Sequence, residues 1–207
     1  MSEVRLSFCA VVKDSLKNIQ QMIESIQPIV DEIIIVDTGS SEEVLSYENS
    51  VADKVIQTEL NGNFALARNR SLEESSGDWI LTLDSDETLS PGLLQKIPEL
   101  IKSAPIDVDG FNFGEVHYVD EASPFPDYWK HLRLYRSKAR YSGSVHESIK
   151  NLGIRLTIED ENCFVLHHNS RSHQYEKAMI YTANLKRKLA EVESQGNKPM
   201  IEYYTYK

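Results

Sequence analysis

Three carboxylates stand within four residues at Asp84-Ser85-Asp86-Glu87, directly after the apolar run Trp79-Ile80-Leu81-Thr82-Leu83. In an extended chain, residues two apart point to the same side, so Asp84 and Asp86 can face one point while Ser85 faces away. Two carboxylates converging at the carboxyl end of a buried strand make a hard-oxygen site for Mg²⁺ or Mn²⁺. Such a site keeps open positions for water and for the oxygens of a bound phosphate. Taken alone, D-x-D also describes a strand end followed by a solvated acidic turn. The surrounding elements have to decide.

Those elements come in a regular order. Leu6–Val12 is a short, mostly apolar run that predicts a central strand, with Asp14 or Ser15 placed to cap the helix after it. Leu16, Ile19, Met22, Ile23 and Ile26 follow the i, i+3, i+4, i+7 pattern, and Pro28 marks the end of that helix. A second buried strand over 32–36 ends in Asp37-Thr38-Gly39-Ser40-Ser41, a small polar turn that a ligand can approach closely. A weak helix over 42–49, a strand over 54–57 and a helix over 64–74, carrying Arg68 and Arg70 and closed by Gly77, come next. After the strand at 79–83, Ser90-Pro91 opens a helix running to about residue 102.

Strands and helices thus alternate, and the strands are near-continuous apolar runs. That is the pattern of a parallel sheet covered on both faces, in which ligands bind outside the carboxyl ends of the strands. The clusters at Lys13-Asp14, at 37–40 and at 84–86 all follow strands and should share one rim.

Beyond about residue 104 the texture changes. Residues 110–119 and 131–135 alternate as antiparallel or edge strands do, with a Pro- and aromatic-rich loop over 123–129 between them. There follow Gly143-Ser144-Val145-His146-Glu147, a strand over 162–166 ending in His167-His168, and an amphipathic helical stretch over 172–193.

A net charge of −10 argues against nucleic acid as a partner. Cys9 and Cys163 sit in apolar runs, which predicts buried free thiols and no disulfide. The sequence shows no apolar run of membrane-spanning length and no signal-peptide core. A cytoplasmic protein is the expectation, with peripheral membrane contact left open.

The ordered set VVKD, EIIIVDTGS, ALARNRSLEESSGDWILTLDSDE, GSVHE and LHH resembles the family 2 glycosyltransferases of the GT-A fold, over roughly residues 5–170. It is most similar to the bacterial branch with a VDTGS-type turn and a GDWILxLDADE-type metal motif. The resemblance implies an α/β, Rossmann-like nucleotide-diphospho-sugar transferase domain with a mostly parallel central sheet over 1–170, and a C-terminal helical extension over 171–207. It implies an inverting, metal-dependent transfer from a nucleoside-diphosphate donor, a UDP-sugar by expectation, to a glycan, lipid-linked or protein acceptor, as in the making of cell-envelope polysaccharide.

By the same resemblance, Mn²⁺ or Mg²⁺ is held by Asp84, Asp86 and His167, with His168 as the alternative third ligand. The backbone at Val12 and Lys13, together with Asp37, Thr38, Arg68, Asn69, Asp84 and Ser85, holds the nucleotide. Asp37 accepts from the base, although the residue read alone is an Asx-turn former. Glu147 is the general base that an inverting transfer needs, with His146 beside it. A sugar-phosphate nucleotidyltransferase would need a Gly-rich basic loop after the first strand, and Val11-Val12-Lys13-Asp14-Ser15 has no glycine. A catalytically inactive nucleotide-sugar-binding module would not need Asp84, Asp86, Glu147 and His167 intact. The apolar stripe Ala178, Tyr181, Leu185, Leu189 and Val192 leaves a homodimer or further C-terminal helical repeats as partners of the extension.

Overall fold

The structure, a computed structural model, describes residues 4–118, 124–143 and 147–168. Strand β1 (Leu6–Val12) is the buried axis of the sheet, with Leu6, Phe8, Cys9, Ala10 and Val12 all inside. It pairs in parallel with β2 (Glu32–Asp37) on one side and β4 (Trp79–Thr82) on the other. Helix α1 (Leu16–Ile26) turns Ile19, Met22, Ile23 and Ile26 onto this sheet, each such side chain contributing about 1.5–3 kcal/mol by leaving water.

The expected cap of α1 is not made. Ser15 occupies the N-cap in the left-handed region (φ 59°) and makes no side-chain capping bond. Asp14, also left-handed at φ 50°, instead bridges to the next turn. Its amide donates to Ser40 Oγ at 2.7 Å, and its Oδ1 accepts from Ser41 N at 3.0 Å. Ser41 is the N-cap of α2 (Glu42–Val51) and lacks a side-chain cap of its own, so Asp14 satisfies a donor of the neighbouring helix. Two turns at the same rim are thereby tied together.

Strand β3 (Lys54–Gln57) adds to β2, and α3 (Phe64–Glu74) follows, capped by Asn63. Gly77 does not close α3, which gives way to extended backbone at Ser75. A Cβ there would stand 2.5 Å from Ser7 Oγ, so this glycine serves close packing on β1. A short strand that the sequence did not suggest, β5 (Glu87–Leu89), precedes α4 (Pro91–Ser103), whose Ser90 cap accepts from Leu93 N at 3.2 Å.

The long strands β6 (Val108–Tyr118) and β7 (Pro124–Arg136) form an antiparallel pair. This corrects the expected loop over 123–129, because β7 already pairs with β6 at Pro124, Phe125 and Pro126. Prolines are tolerated next to bulges, and the register shifts between Gly114 and Val116. Strands β8 (Arg140–Ser142) and β9 (Ser148–Lys150) make a separate ribbon, and β10 (Ile154–Thr157) runs parallel to β6. Finally β11 (Phe164–His168) continues through both histidines, parallel to β6 and antiparallel to β5.

The main sheet runs β3-β2-β1-β4-β7-β6-β11-β5, with β10 on β6. Its first four strands are parallel and bring their carboxyl ends to one rim. One core lies under α1 and α4, and a smaller one under α3 contains Cys9, Ile34, Leu72, Ile80 and Tyr135. Cys9 and Cys163 are buried free thiols, as expected. Among the described residues no helix is long and apolar enough to cross a membrane. His146 and the extension over 171–207 lie outside the described residues.

Candidate active site

Two neighbourhoods share the rim. The first is built by the backbone. Val12 and Asp37 end their strands side by side, and Thr38 clamps them, donating to Val12 O from its amide at 2.9 Å and its hydroxyl at 3.0 Å. Asp37 is buried, and its Oδ1 accepts from Gly39 N at 2.9 Å and Ser40 N at 3.1 Å. Gly39 takes φ 111°, which a side chain would resist. The other oxygen, Asp37 Oδ2, is buried without a hydrogen-bond partner. A cavity of about 380 Å³ opens here, lined by Asp37, Gly39, Ser40, Leu45, Gln57 and Thr58 among others. Lys13, which follows Val12, is exposed. Glu48 of α2 is fully buried with both oxygens unpartnered; burial first, and then Asp37 and Asp14, push its carboxyl up to about 7.

The second neighbourhood is built by charge. Strand β4 ends at Thr82, so Asp84-Ser85-Asp86 form a turn into β5 and not an extended tail. The two-residue alternation expected for Asp84 and Asp86 therefore does not operate; their partners aim them. Arg68 Nη2 donates to Asp84 Oδ1 at 2.8 Å and Arg68 Nε to Glu147 Oε2 at 3.2 Å. Arg133 pairs with Glu87 and lies 3.8 Å from Asp84 Oδ2 and 3.7 Å from Glu115 Oε2. Glu87 Oε2 accepts from Asp84 N at 2.8 Å, which fixes the turn from within. Ser85 is half-buried between the two aspartates.

His167 joins the parts. Its Nδ1 lies 2.6 Å from Glu115 Oε1, and its Nε2 lies 3.2 Å from Asp86 Oδ2. The second contact lacks the alignment of a hydrogen bond, which leaves Nε2 a buried nitrogen facing a buried carboxylate. A metal ligand has this appearance: one ring nitrogen held by a carboxylate, the other directed at a hard-oxygen partner. Imidazole with carboxylate suits Mn²⁺ somewhat better than Mg²⁺. His117 extends the group, its Nε2 3.2 Å from Glu115 Oε1, and ligand atoms of Glu115, His117 and His167 lie within 4.8 Å of one another. His168 faces elsewhere; its Nε2 is 2.9 Å from Thr88 Oγ1.

The protonation states follow from these contacts. Burial opposes charge on His167, but Asp86 and Glu115 outweigh it and push the imidazole up to about 9 in the absence of metal. Glu87 is pushed up to about 8, by burial first, against the lowering effect of Arg133. Glu147 is raised by burial, with Arg68 pulling the other way. One of its oxygens is on Arg68 and the other is buried without a hydrogen-bond partner.

Asn69 is directed elsewhere. Its amide donates to Tyr141 O at 2.9 Å and accepts from Tyr141 N at 2.8 Å, clamping β8 to α3. Four residues of the charged neighbourhood escaped sequence reasoning: Glu87, Glu115, His117 and Arg133. Glu87 stood in the acidic run itself. Glu115 and His117 are two apart in a strand and so share a face, a signal that points to them once β6 is recognised.

The glycosyl transferase family 2 profile matches residues 7–160. An uncharacterized glycosyltransferase of Rickettsia bellii is 26% identical over 220 residues, covering 96% of this chain and 72% of that protein. A TPR repeat-containing protein of Synechococcus elongatus is 28% identical over 160 residues, covering 76% of this chain. The chain spans 38% of that protein and 37% of a Mycoplasma pneumoniae glycosyltransferase homolog. Among solved structures, residues 1–349 of S. aureus TarS superpose with a TM-score of 0.54 at 12% identity, covering 88% of this chain and 65% of that one. The likeness extends to a form of TarS with UDP, at a TM-score of 0.52 and 13% identity. At such identity the superposition shows the fold, and that fold is the GT-A arrangement. With the profile covering most of its length, this chain belongs to glycosyl transferase family 2.

Proposed function

We propose that this domain transfers a sugar from a UDP-sugar to an acceptor hydroxyl with inversion, using Mn²⁺ or Mg²⁺ at Asp84, Asp86 and His167. The observation that carries the reading is His167, held by Glu115 on one nitrogen and left unaligned against Asp86 on the other. A uridine donor is supported by the fold neighbour TarS, whose structures include complexes with UDP and UDP-GlcNAc. The unsatisfied Asp37 Oδ2, buried beside its cavity, suits an N–H of the base.

When bound, the cation neutralises charge on the departing diphosphate. The residues do the rest. Arg68 and Glu87 hold the Asp84 turn, and Glu115 keeps His167 in one orientation. Glu147 takes the proton of the acceptor hydroxyl as its oxygen bonds the anomeric carbon, on the face opposite the leaving group. The electron pair of the broken bond leaves with UDP. Burial suits Glu147 to this task, because a raised carboxyl is a stronger base. A cytoplasmic site, an acceptor in the cell envelope, and a helical extension packing in a homodimer or on further repeats belong to the same reading. Similarity to a TPR repeat-containing protein supports the last.

The test is thermal. A ligand that binds only the folded state at about 100 times its dissociation constant stabilises by roughly 2.7 kcal/mol. UDP with Mn²⁺ should raise the melting temperature, UDP with EDTA should do so far less, and Asp86→Ala should lose the metal-dependent part. Equal shifts in all three arms would remove the metal. Donor binding with no transfer to any acceptor would mark the inactive module instead.

A further inference from the structure

A second cavity, of about 240 Å³, lies beside the proposed base. Arg68, Arg133, Arg155, Tyr141 and Glu147 are among its walls. Three guanidiniums around one carboxylate are unusual in a protein of net charge −10. Two of the three are committed: Arg68 to Asp84 and Glu147, Arg133 to Glu87 with Asp84 and Glu115 close by. Arg155 differs. It sits on the exposed strand β10 and forms no ion pair among the described residues. The cavity that contains Glu147 therefore has one uncommitted guanidinium in its wall.

The position of Arg155 says which substrate it serves. The nucleotide rim is made by the ends of β1, β2 and β4, whereas β10 pairs with β6, beyond β7 in the sheet. In an inverting transfer the base stands on the face opposite the diphosphate, so a group bound next to Glu147 belongs to the acceptor. A guanidinium presents a planar fork that matches an oxyanion with two parallel hydrogen bonds. We propose that the acceptor carries a phosphate or carboxylate near the hydroxyl that is glycosylated, and that Arg155 binds this anion. The proposal rests on the reading of Glu147 as the base.

The experiment titrates the full chain, saturated with UDP and Mg²⁺, with methyl phosphate, lactate and uncharged glycerol in a calorimeter. UDP occupies the donor side, so an anion bound in addition reports the second cavity, and the two anionic probes distinguish phosphate from carboxylate. At least one should bind more tightly than glycerol. Losing a charge-assisted hydrogen bond typically costs about 10-fold or more in affinity, so Arg155→Gln should weaken that probe by about 10-fold, and Arg155→Lys, which keeps the charge but not the fork, should fall between wild type and Arg155→Gln. Binding of UDP with Mg²⁺ should be the same in all three proteins. The proposal is overturned if neither anion binds better than glycerol, if Arg155→Gln binds it as well as wild type, or if that variant loses UDP too, which would place Arg155 on the donor. Should UDP fail to bind the wild type, the donor reading falls by itself, and the anion titrations without UDP still decide the role of Arg155. Arg155 is exposed, and a melting curve of each variant without ligand confirms that the fold is kept.

Discussion

The two neighbourhoods of the rim are built by opposite means. Around Asp37 the work is done by peptide groups: Thr38 on Val12 O, and Gly39 and Ser40 on Asp37 Oδ1. Contacts in that turn span two or three residues, and those tying it to β1 span 26. Around Asp84 the work is done by side-chain charge drawn from α3, the β4–β5 turn, β5, β6, β7, β11 and the residue before β9. The first arrangement is fixed by hydrogen bonds that the folded chain makes by itself. The second is a set of buried charges that stabilise one another only while all are in place, because an ion left alone inside a protein is costly. A divalent ion entering such a set replaces repulsion between carboxylates with attraction. The difference predicts that substitutions on the charged side unsettle the fold, while those in the hydrogen-bonded turn of the backbone side chiefly alter binding.

Glu147 is the exception that sharpens this contrast, and the largest effect belongs to it. Glu147→Gln keeps the shape and one acceptor for Arg68 but removes the proposed base. Transfer should slow by about 10² to 10⁴, roughly 3–5 kcal/mol of barrier, with UDP binding and melting temperature nearly unchanged. Steady-state kinetics beside melting curves make the comparison, and near-normal turnover would remove Glu147 from the mechanism. Next comes Arg133→Met, which leaves Glu87, Glu115 and Asp84 without their shared cation. Breaking a buried ion pair from one side typically costs about 3–5 kcal/mol, and denaturant unfolding should show a loss of that order. A change below about 1 kcal/mol would mean that the network carries little of the fold.

What was legible in the sequence follows the same division. The parallel half, β1 to β4 with its helices, was readable because apolar runs of strand length alternate with a 3.6-residue pattern. Asp37 and Thr38 stood out because the turn they shape is local, and the Asp84-Ser85-Asp86 run because its carboxylates are clustered in the sequence itself. The strand β5 was hidden because it is three residues long and begins with the acidic Glu87. Prolines at 124 and 126 concealed the start of β7, where pairing with a bulged partner tolerates them. Glu115, His117 and Arg133 escaped because their role depends on β6, β7 and β11 meeting across 52 residues of sequence, as in the Glu115–His167 contact. No local pattern encodes that meeting.

A pH experiment probes the buried acid of the backbone-built region. Glu48 is buried near the Asp37 turn, and its carboxyl is raised from 4.5 to about 7, by burial first and then by Asp37 and Asp14. A raised acid binds its proton more tightly in the folded state. Its contribution is therefore full below the unfolded value of 4.5 and is lost as pH rises to about 7. The total is at most about 3.5 kcal/mol, at roughly 1.4 kcal/mol per pH unit. Glu48→Gln has no charge to bury, so its stability should exceed that of wild type at pH 8 by about 1–3 kcal/mol and should match it near pH 4.5. Parallel curves for the two proteins between these values would show that Glu48 titrates normally and that the turn carries no electrostatic load.

The smallest change in stability is expected at Asp37 itself. In Asp37→Asn the carbonyl oxygen can still accept from Gly39 and Ser40, the two bonds that shape the turn. The buried Oδ2, which has no hydrogen-bond partner, becomes an amide nitrogen, and a negative charge is removed from beside Glu48. Folding should therefore change by less than about 0.5–1 kcal/mol, since no made hydrogen bond is lost. Binding should respond differently. If Oδ2 accepts an N–H of the base, the amide presents a donor to a donor, and UDP affinity should fall by about 10-fold or more, equivalent to about 1.4 kcal/mol. The metal-dependent part of the UDP shift should survive, because Asp86 and His167 are untouched. Unchanged affinity in the Asn variant would return Asp37 to a turn former only, and any preference for a uridine donor would then have to come from elsewhere in the cavity lined by Gln57 and Thr58.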